Sequence, residues 1–282
     1  MNGDDPVPPS MPGTSLAKEA ERAGSFGGVA SLYERFRPGP QVAAVDWFVP
    51  SRVNRIVDLG AGTGALTRLL IGRADEVAAI EPDDRMRIVL EHQVPTVRTL
   101  AGRGESIPLP DGCADVVLAS SSWHWMDPIP TLHEVGRILV PGGTVGVVWS
   151  GPDPEGSFMV QARALLAQQS RGSTSGVTGP VEGAFSDLVT GGAPRPTFEF
   201  EVPAGVPFEQ PEHKTFRWDM ALNADELIGL LSTFSWIITM PDDQRERVLA
   251  ESRRLLREFL GVAGDVTVDV AFRADAWRSR RV

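Results

Sequence analysis

The sequence predicts an α/β protein whose core is a mostly parallel sheet with helices on both faces. From Val53 to Trp149, short apolar runs alternate with amphipathic stretches, the rhythm of successive βα units. A glycine-rich turn, Gly60-Ala-Gly-Thr-Gly64, follows the first apolar run and opens a helical stretch. Two later alternating segments, separated by helical patterning, read as a closing hairpin with an insertion between its strands.

Each element has its own warrant. Residues 1–15 are rich in proline and acid, with little to bury, and read as a disordered tail. Residues 16–50 carry helical patterning, broken at Arg37-Pro38-Gly39-Pro40, and form an N-terminal lid segment. Residues 51–150 hold the core. Strands are expected at Arg55–Asp58, Val77–Ile80, Thr96–Leu100, Ala114–Leu118 and Thr144–Trp149. Helices are expected at Ala65–Ile71, Asp84–Glu91 and Pro130–Leu139, the last stopped by Pro141-Gly142-Gly143. Residues 151–282 break the rhythm. A helix from Phe158 to Gln168 precedes a Gly/Ser-rich loop, and strands are expected at Thr197–Val202 and Asp265–Phe272. Helices at Ala224–Leu231 and Asp242–Leu260 form a cap across about residues 216–260.

Composition excludes several classes. The 42% hydrophobic and 23% charged content is that of a globular chain. A net charge of -10 opposes non-specific nucleic-acid binding. Arg278, Arg280 and Arg281 are expected to form a solvated end. Cys113 is the single cysteine, so an internal disulfide is impossible and a reducing compartment is expected. No apolar run reaches the roughly 20 residues that span a bilayer. A cytoplasmic protein acting on a small molecule, as monomer or homodimer without nucleic-acid or membrane partner, is the expectation.

The chemistry concentrates after the first strand. Alternate glycines let the backbone turn sharply and approach a ligand, and the following helix presents unsatisfied N–H groups. Gly60-x-Gly62-x-x-Ala65, with Glu81 near the spacing of a ribose-binding acid, equally satisfies a dinucleotide fingerprint. Asp58 favours a ligand bearing an ammonium group over a diphosphate. It also suits a simple turn cap, as Glu81-Pro82-Asp83 suits a helix start. Further on come Gly104-Glu105-Ser106, the strand with Asp115, then Ser120-Ser-Ser-Trp123-His124-Trp125-Met-Asp127 and Arg137-Ile-Leu-Val-Pro-Gly-Gly143.

In that order these pieces resemble the class I S-adenosylmethionine-dependent methyltransferases, and more narrowly the branch that includes trans-aconitate methyltransferase. The segment from Val29 to Pro40 resembles that branch's leading segment. The resemblance implies a Rossmann-like, seven-stranded sheet with an antiparallel last strand. It also implies S-adenosyl-L-methionine as cofactor and S-adenosyl-L-homocysteine as product, with no metal. Cofactor contacts then fall to Asp58, Gly60, Ala61, Gly62, Thr63 and Gly64 at the methionine end. Glu81 takes the ribose, Pro82 and Met86 border the adenine, and Glu105 and Ser106 meet its polar edge. Ser120 sits under the sulfonium, and Tyr33 and Arg37 close over the pocket. Arg103 stands where the branch often places an acid that receives the adenine amino group.

His124 is the candidate general base, or a packed structural group beside Trp123 and Trp125. Trp123, His124, Trp218, Phe234 and Trp236 are the candidate acceptor contacts, Trp218, Phe234 and Trp236 belonging to an apolar cap set that also suits a plain core. A sulfonium methyl is already activated, so alignment and exclusion of water dominate the task. A carboxylate acceptor needs no base whereas a hydroxyl does, which makes carboxylate O-methylation the leading expectation and hydroxyl or carbon methylation its rival. Two other readings stay open: a protein of this fold that binds the cofactor without methyl transfer, as a biosynthetic helper or cyclase, and a nicotinamide-dependent oxidoreductase.

Overall fold

The computed structural model describes residues 36, 39–49, 51–161, 164, 200–238, 240–259 and 261–282. The predicted tail, most of the lid segment including Tyr33 and Arg37, the Gly/Ser-rich loop and residues 197–199 lie outside the described residues, as does the side chain of Trp236.

The chain opens with α1 (Val42–Phe48), then β1 (Val53–Leu59), α2 (Ala65–Leu70), β2 (Ala74–Ile80), α3 (Asp84–Gln93) and β3 (Arg98–Leu100). It continues through β4 (Ala114–Ser120), α4 (Pro128–Ile138), β5 (Leu139–Pro152) and β6 (Glu212–Leu222). Three cap helices, α5 (Ala224–Ser232), α6 (Ser235–Ile238) and α7 (Asp242–Phe259), precede β7 (Val268–Arg280). The seven strands form one sheet in the order β3-β2-β1-β4-β5-β7-β6. Strands β1 to β5 are parallel, and β7 runs antiparallel to both β5 and β6.

Strand alternation builds the two layers. Val57, Leu59, Val117 and Ala119 face α4, where Leu132, Val135 and Ile138 are completely buried. Ile56, Val116 and Leu118 point to the opposite face, beneath Phe48, Leu66 and Leu70. A one-residue slip would exchange these sets, so burial on both faces holds the register. The cap has its own core, in which Leu227, Leu231, Ile237, Val248 and Leu256 pack with Met159 and with Phe272 of β7. Helix α5 starts on a capping box: Asn223 Oδ1 accepts from Glu226 N–H, and Glu226 Oε2 accepts from Asn223 N–H.

Four expectations need correction. Phe200–Val202 is not a strand; the hairpin's first strand is β6, further along the chain. It pairs with β7 over eleven residue pairs, from Glu212↔Arg278 to Leu222↔Val268, and the local signal for it is the alternation of Phe216, Trp218, Met220 and Leu222 with Thr215, Arg217, Asp219 and Ala221. The cap therefore spans the helices after Leu222 rather than residues from 216, and Trp218 belongs to the sheet. Pro141-Gly142-Gly143 does not separate helix from strand: β5 begins at Leu139 and carries the three residues in an irregularity of its register with β4. Of the C-terminal arginines Arg280 is exposed as expected, but Arg278 and Arg281 are not a solvated end. Arg278 lies in β7, stacked over the Trp47 ring and donating to Trp47 O at 2.7 Å, and Arg281 N–H donates to Gly143 O.

Candidate active site

The carboxyl ends of β1, β2, β4 and β5 meet along one edge of the sheet, where α/β folds hold their ligands. At that edge β1 leads into Gly60-Ala-Gly-Thr-Gly64. Gly60 and Ala61 N–H both donate to Ile80 O, at 2.8 and 3.0 Å, pinning the loop to the end of β2. Gly60 (φ 69°) has no room for a side chain, because a Cβ there would lie 2.6 Å from Ser122 Cβ. Gly62 (φ 57°) differs: no atom lies within 4 Å of where its Cβ would be. Its left-handed backbone bows away from the protein and leaves a bare cradle.

Asp58 is 1% exposed; Oδ2 accepts from the Thr67 hydroxyl at 2.6 Å, and Oδ1 has no partner. Burial pushes this carboxyl up to about 7; the Thr67 hydrogen bond acts against that shift, while the charge of nearby Glu81 adds to it. Thr63, also 1% exposed, has an unpartnered hydroxyl in the same loop. Buried polar atoms without partners are rare, and each calls for a cause.

Glu81 is buried at the end of β2. Its Oε2 accepts from Gly62 N–H at 2.9 Å and its Oε1 from Asp83 N–H at 3.0 Å. Burial raises its carboxyl above the usual range, and the two backbone donors hold it back. Each oxygen retains a lone pair for a ligand hydroxyl. Arg87 donates to Glu81 O at 2.9 Å and fixes the backbone behind it. Pro82 is exposed, and Met86 is 5% exposed on the inner face of α3. Glu105 Oε1 accepts from Asp127 N–H at 2.7 Å, so it joins its loop to the start of α4, and Ser106 is exposed in a turn closed onto Arg103.

Ser120 is half-buried at the end of β4. Ser121 then takes φ 53°, a conformation a non-glycine residue rarely holds. That twist lets Ser122 Oγ donate to Leu59 O at 2.8 Å, bracing the end of β1. Neither Ser122 nor Thr67 stands out in the sequence, because both act through contacts made only in the fold. Trp123 is 3% exposed and packs edge-on against Phe200 at 5.1 Å, a core position that leaves no free face for an acceptor. His124 is exposed, and its Nδ1 accepts from Trp149 Nε1–H at 3.2 Å. Trp218, half-buried, stacks on Phe272 at 5.6 Å, and Phe234 packs against the cap core. The structure thus gathers Asp58, the glycine loop, Glu81, Met86, Ser120 and His124 around one edge, and sets Trp123 apart.

This edge fits S-adenosylmethionine. Asp58 Oδ1 and the Thr63 hydroxyl would hold the polar methionine end, the Gly62 cradle would admit backbone approach, and Glu81 would accept the ribose hydroxyls.

Comparison with known proteins agrees. Residues 57–147 match the family described as "Methyltransferase domain". A Mycobacterium tuberculosis protein named only as a methyltransferase is 33% identical over 232 residues, covering 82% of this chain and 85% of that protein. A methyltransferase-like protein of Schizosaccharomyces pombe is 26% identical over 254 residues, covering 88% of this chain and 92% of its own length. Among solved structures, Haemonchus contortus phosphoethanolamine N-methyltransferase 2 with S-adenosylhomocysteine shares the fold, with a TM-score of 0.50 and 13% identity, covering 95% of this chain and 60% of that one. The buried acids, the glycine cradle and this kinship lead to one conclusion: the chain belongs to the methyltransferase-domain family and is a class I S-adenosylmethionine-dependent methyltransferase.

Proposed function

We propose that the protein O-methylates a carboxylate on a small molecule, as a monomer or homodimer in the cytoplasm, without a nucleic-acid or membrane partner. The observation that carries this reading is the state of His124. The Trp149 indole N–H donates to its Nδ1 at 3.2 Å, so in the neutral ring the lone pair of that nitrogen is already engaged and does not serve as the base that a hydroxyl acceptor would require. An ionised carboxylate needs no base, whereas a hydroxyl does. The carboxyl groups at the cofactor edge, Asp58 and Glu81, serve the cofactor. Bound there, S-adenosylmethionine supplies an activated methyl; the chain's own residues orient it, align the acceptor and exclude water. The resemblance to the trans-aconitate branch supports the reading. So does a 30% identity over 130 residues to a Pectobacterium atrosepticum protein named malonyl-[acyl-carrier protein] O-methyltransferase, which covers 44% of this chain and 50% of that protein. Among the described residues no helix is long and apolar enough to cross a membrane.

The test is incubation with S-adenosylmethionine and a panel of carboxylic acids, phenols and amines, with S-adenosylhomocysteine and methylated product followed by mass spectrometry. Methyl esters from acids support the reading. Turnover confined to phenols or amines overturns it. Tight cofactor binding without any turnover would favour a non-transferring role.

A further inference from the structure

We propose that Ser150 is an acceptor-binding residue, its hydroxyl donating to one oxygen of the acceptor's carboxylate; this rests on the reading above. Ser150 is 5% exposed near the end of β5, and its Oγ has no hydrogen-bond partner. A serine buried in a strand without a partner costs stability that alanine would not. Two other orphan atoms at this edge, Asp58 Oδ1 and Thr63 Oγ1, lie where the cofactor's polar end fits. Ser150 is a further one, and the cofactor set does not use it.

Its position suits an acceptor. Ser120 pairs with Val148 across β4 and β5, so by strand alternation Ser150 faces the same side as Ser120, two residues nearer the open end. On its other flank it pairs with Ala274 of β7. Val148 and Ala274 belong to the apolar cluster under α1 and α2, while Phe272, the next residue of β7 on that face, belongs to the cap core. Ser150 therefore lies at the seam of sheet and cap, with Trp218 stacked on Phe272 beside it. A hydroxyl set in an apolar seam selects a ligand that is apolar but for one accepting group: a carboxylate on a hydrocarbon or aryl body.

The role is consistent with the chemistry. One carboxylate oxygen accepts from Ser150, and the other stays free as nucleophile. That oxygen bonds the methyl carbon as the carbon–sulfur bond breaks and its electron pair returns to sulfur. The carboxylate's negative charge and the sulfonium's positive charge cancel, leaving a neutral ester and a thioether, with no proton to remove.

Ser150→Ala is compared with the wild type in the full chain, using straight-chain acids from hexanoate to dodecanoate, benzoate and cinnamate. The expected variant melts at the same temperature or higher, binds S-adenosylhomocysteine within twofold of wild type, and shows KM for the best acid raised roughly tenfold or more. An unchanged KM overturns the proposal. So does a crystal structure with S-adenosylhomocysteine in which Ser150 Oγ bonds a protein group, or a lowered melting temperature showing such a bond. If the wild type methylates none of the acids but turns over a phenol or an amine, the carboxylate reading fails by itself, and the same KM comparison with that acceptor decides Ser150. If nothing turns over, the crystal structure and the melting temperature decide it.

Discussion

Gly62 donates its backbone N–H to Glu81 Oε2 at 2.9 Å, so the loop after β1 and the acid at the end of β2 form one unit. The Gly62 cradle and the Glu81 carboxylate are thereby positioned by each other. Glu81→Ala should weaken S-adenosylmethionine by about 1.5–3 kcal/mol, the scale of hydrogen bonds to a charged group. Isothermal titration checks this, and an unchanged dissociation constant would place the ribose elsewhere.

Gly62→Val should abolish cofactor binding in a protein that still folds, because the branched side chain enters open space that the ligand needs. Left-handed backbone strain of about 1–3 kcal/mol accompanies it. Gly112→Val separates strain from site: Gly112 has φ 56° and nothing within 4 Å of its Cβ position, yet sits in the turn before β4. Titration should find binding near wild type in Gly112→Val and none in Gly62→Val. Equal losses would refute the cradle.

Asp58 carries a pH signature. Burial pushes its carboxyl up to about 7, against an ordinary value of 3.8. The fold thus holds a proton that the unfolded chain has released, and Asp58's contribution to stability falls as pH rises from about 4 to about 7. Cofactor binding runs the other way, since an ammonium group prefers the ionised acid. Affinity for S-adenosylhomocysteine should improve about tenfold from pH 6 to pH 8 and then level off. Asp58→Asn should flatten that profile; if the slope persists, another group is responsible.

Among the described residues, the cap meets the N-terminal segment where Phe36 lies against Gly229 of α5. A Cβ on Gly229 of α5 would overlap the Phe36 ring. Gly229→Ala adds about 1 kcal/mol of helix propensity while displacing Phe36. Stopped-flow fluorescence should show faster S-adenosylhomocysteine release in Gly229→Ala and in Phe36→Ala, with the cap's melting unimpaired. Unchanged release would mean that this contact does not help retain the cofactor.

Trp218→Ala removes the ring stacked on Phe272 and should lower stability by about 2–4 kcal/mol, below the full cost of a buried Trp because this one is half-exposed. Phe234→Ala, at the edge of the cap core, should raise acceptor KM with S-adenosylhomocysteine affinity unchanged. Chemical denaturation and steady-state kinetics separate the two; a parallel loss of stability, acceptor and cofactor binding in Phe234→Ala would make it core.

The sequence alone determined the parallel core and the glycine turn at its edge, because both rest on short-range patterns. Val57-Asp-Leu-Gly60 is a buried strand running into a glycine turn whichever chain segments lie beside it, and Glu81 ends the next strand of the same unit. Tertiary structure decided the rest. β6 carries a period-two pattern of its own, Phe216, Trp218, Met220 and Leu222 alternating with Thr215, Arg217, Asp219 and Ala221, but that it pairs with β7 across the cap helices is decided only in the fold. Trp123 turned inward because Phe200, far along the chain, offered it a ring to pack on. Ser122 became a brace only when β4 came to lie beside β1, and Ser150 lost its solvent only in the folded sheet, where it pairs with Ala274 of β7. Hydrogen bonding and burial between distant segments have no local signature, so those residues acquire their roles only in the folded chain.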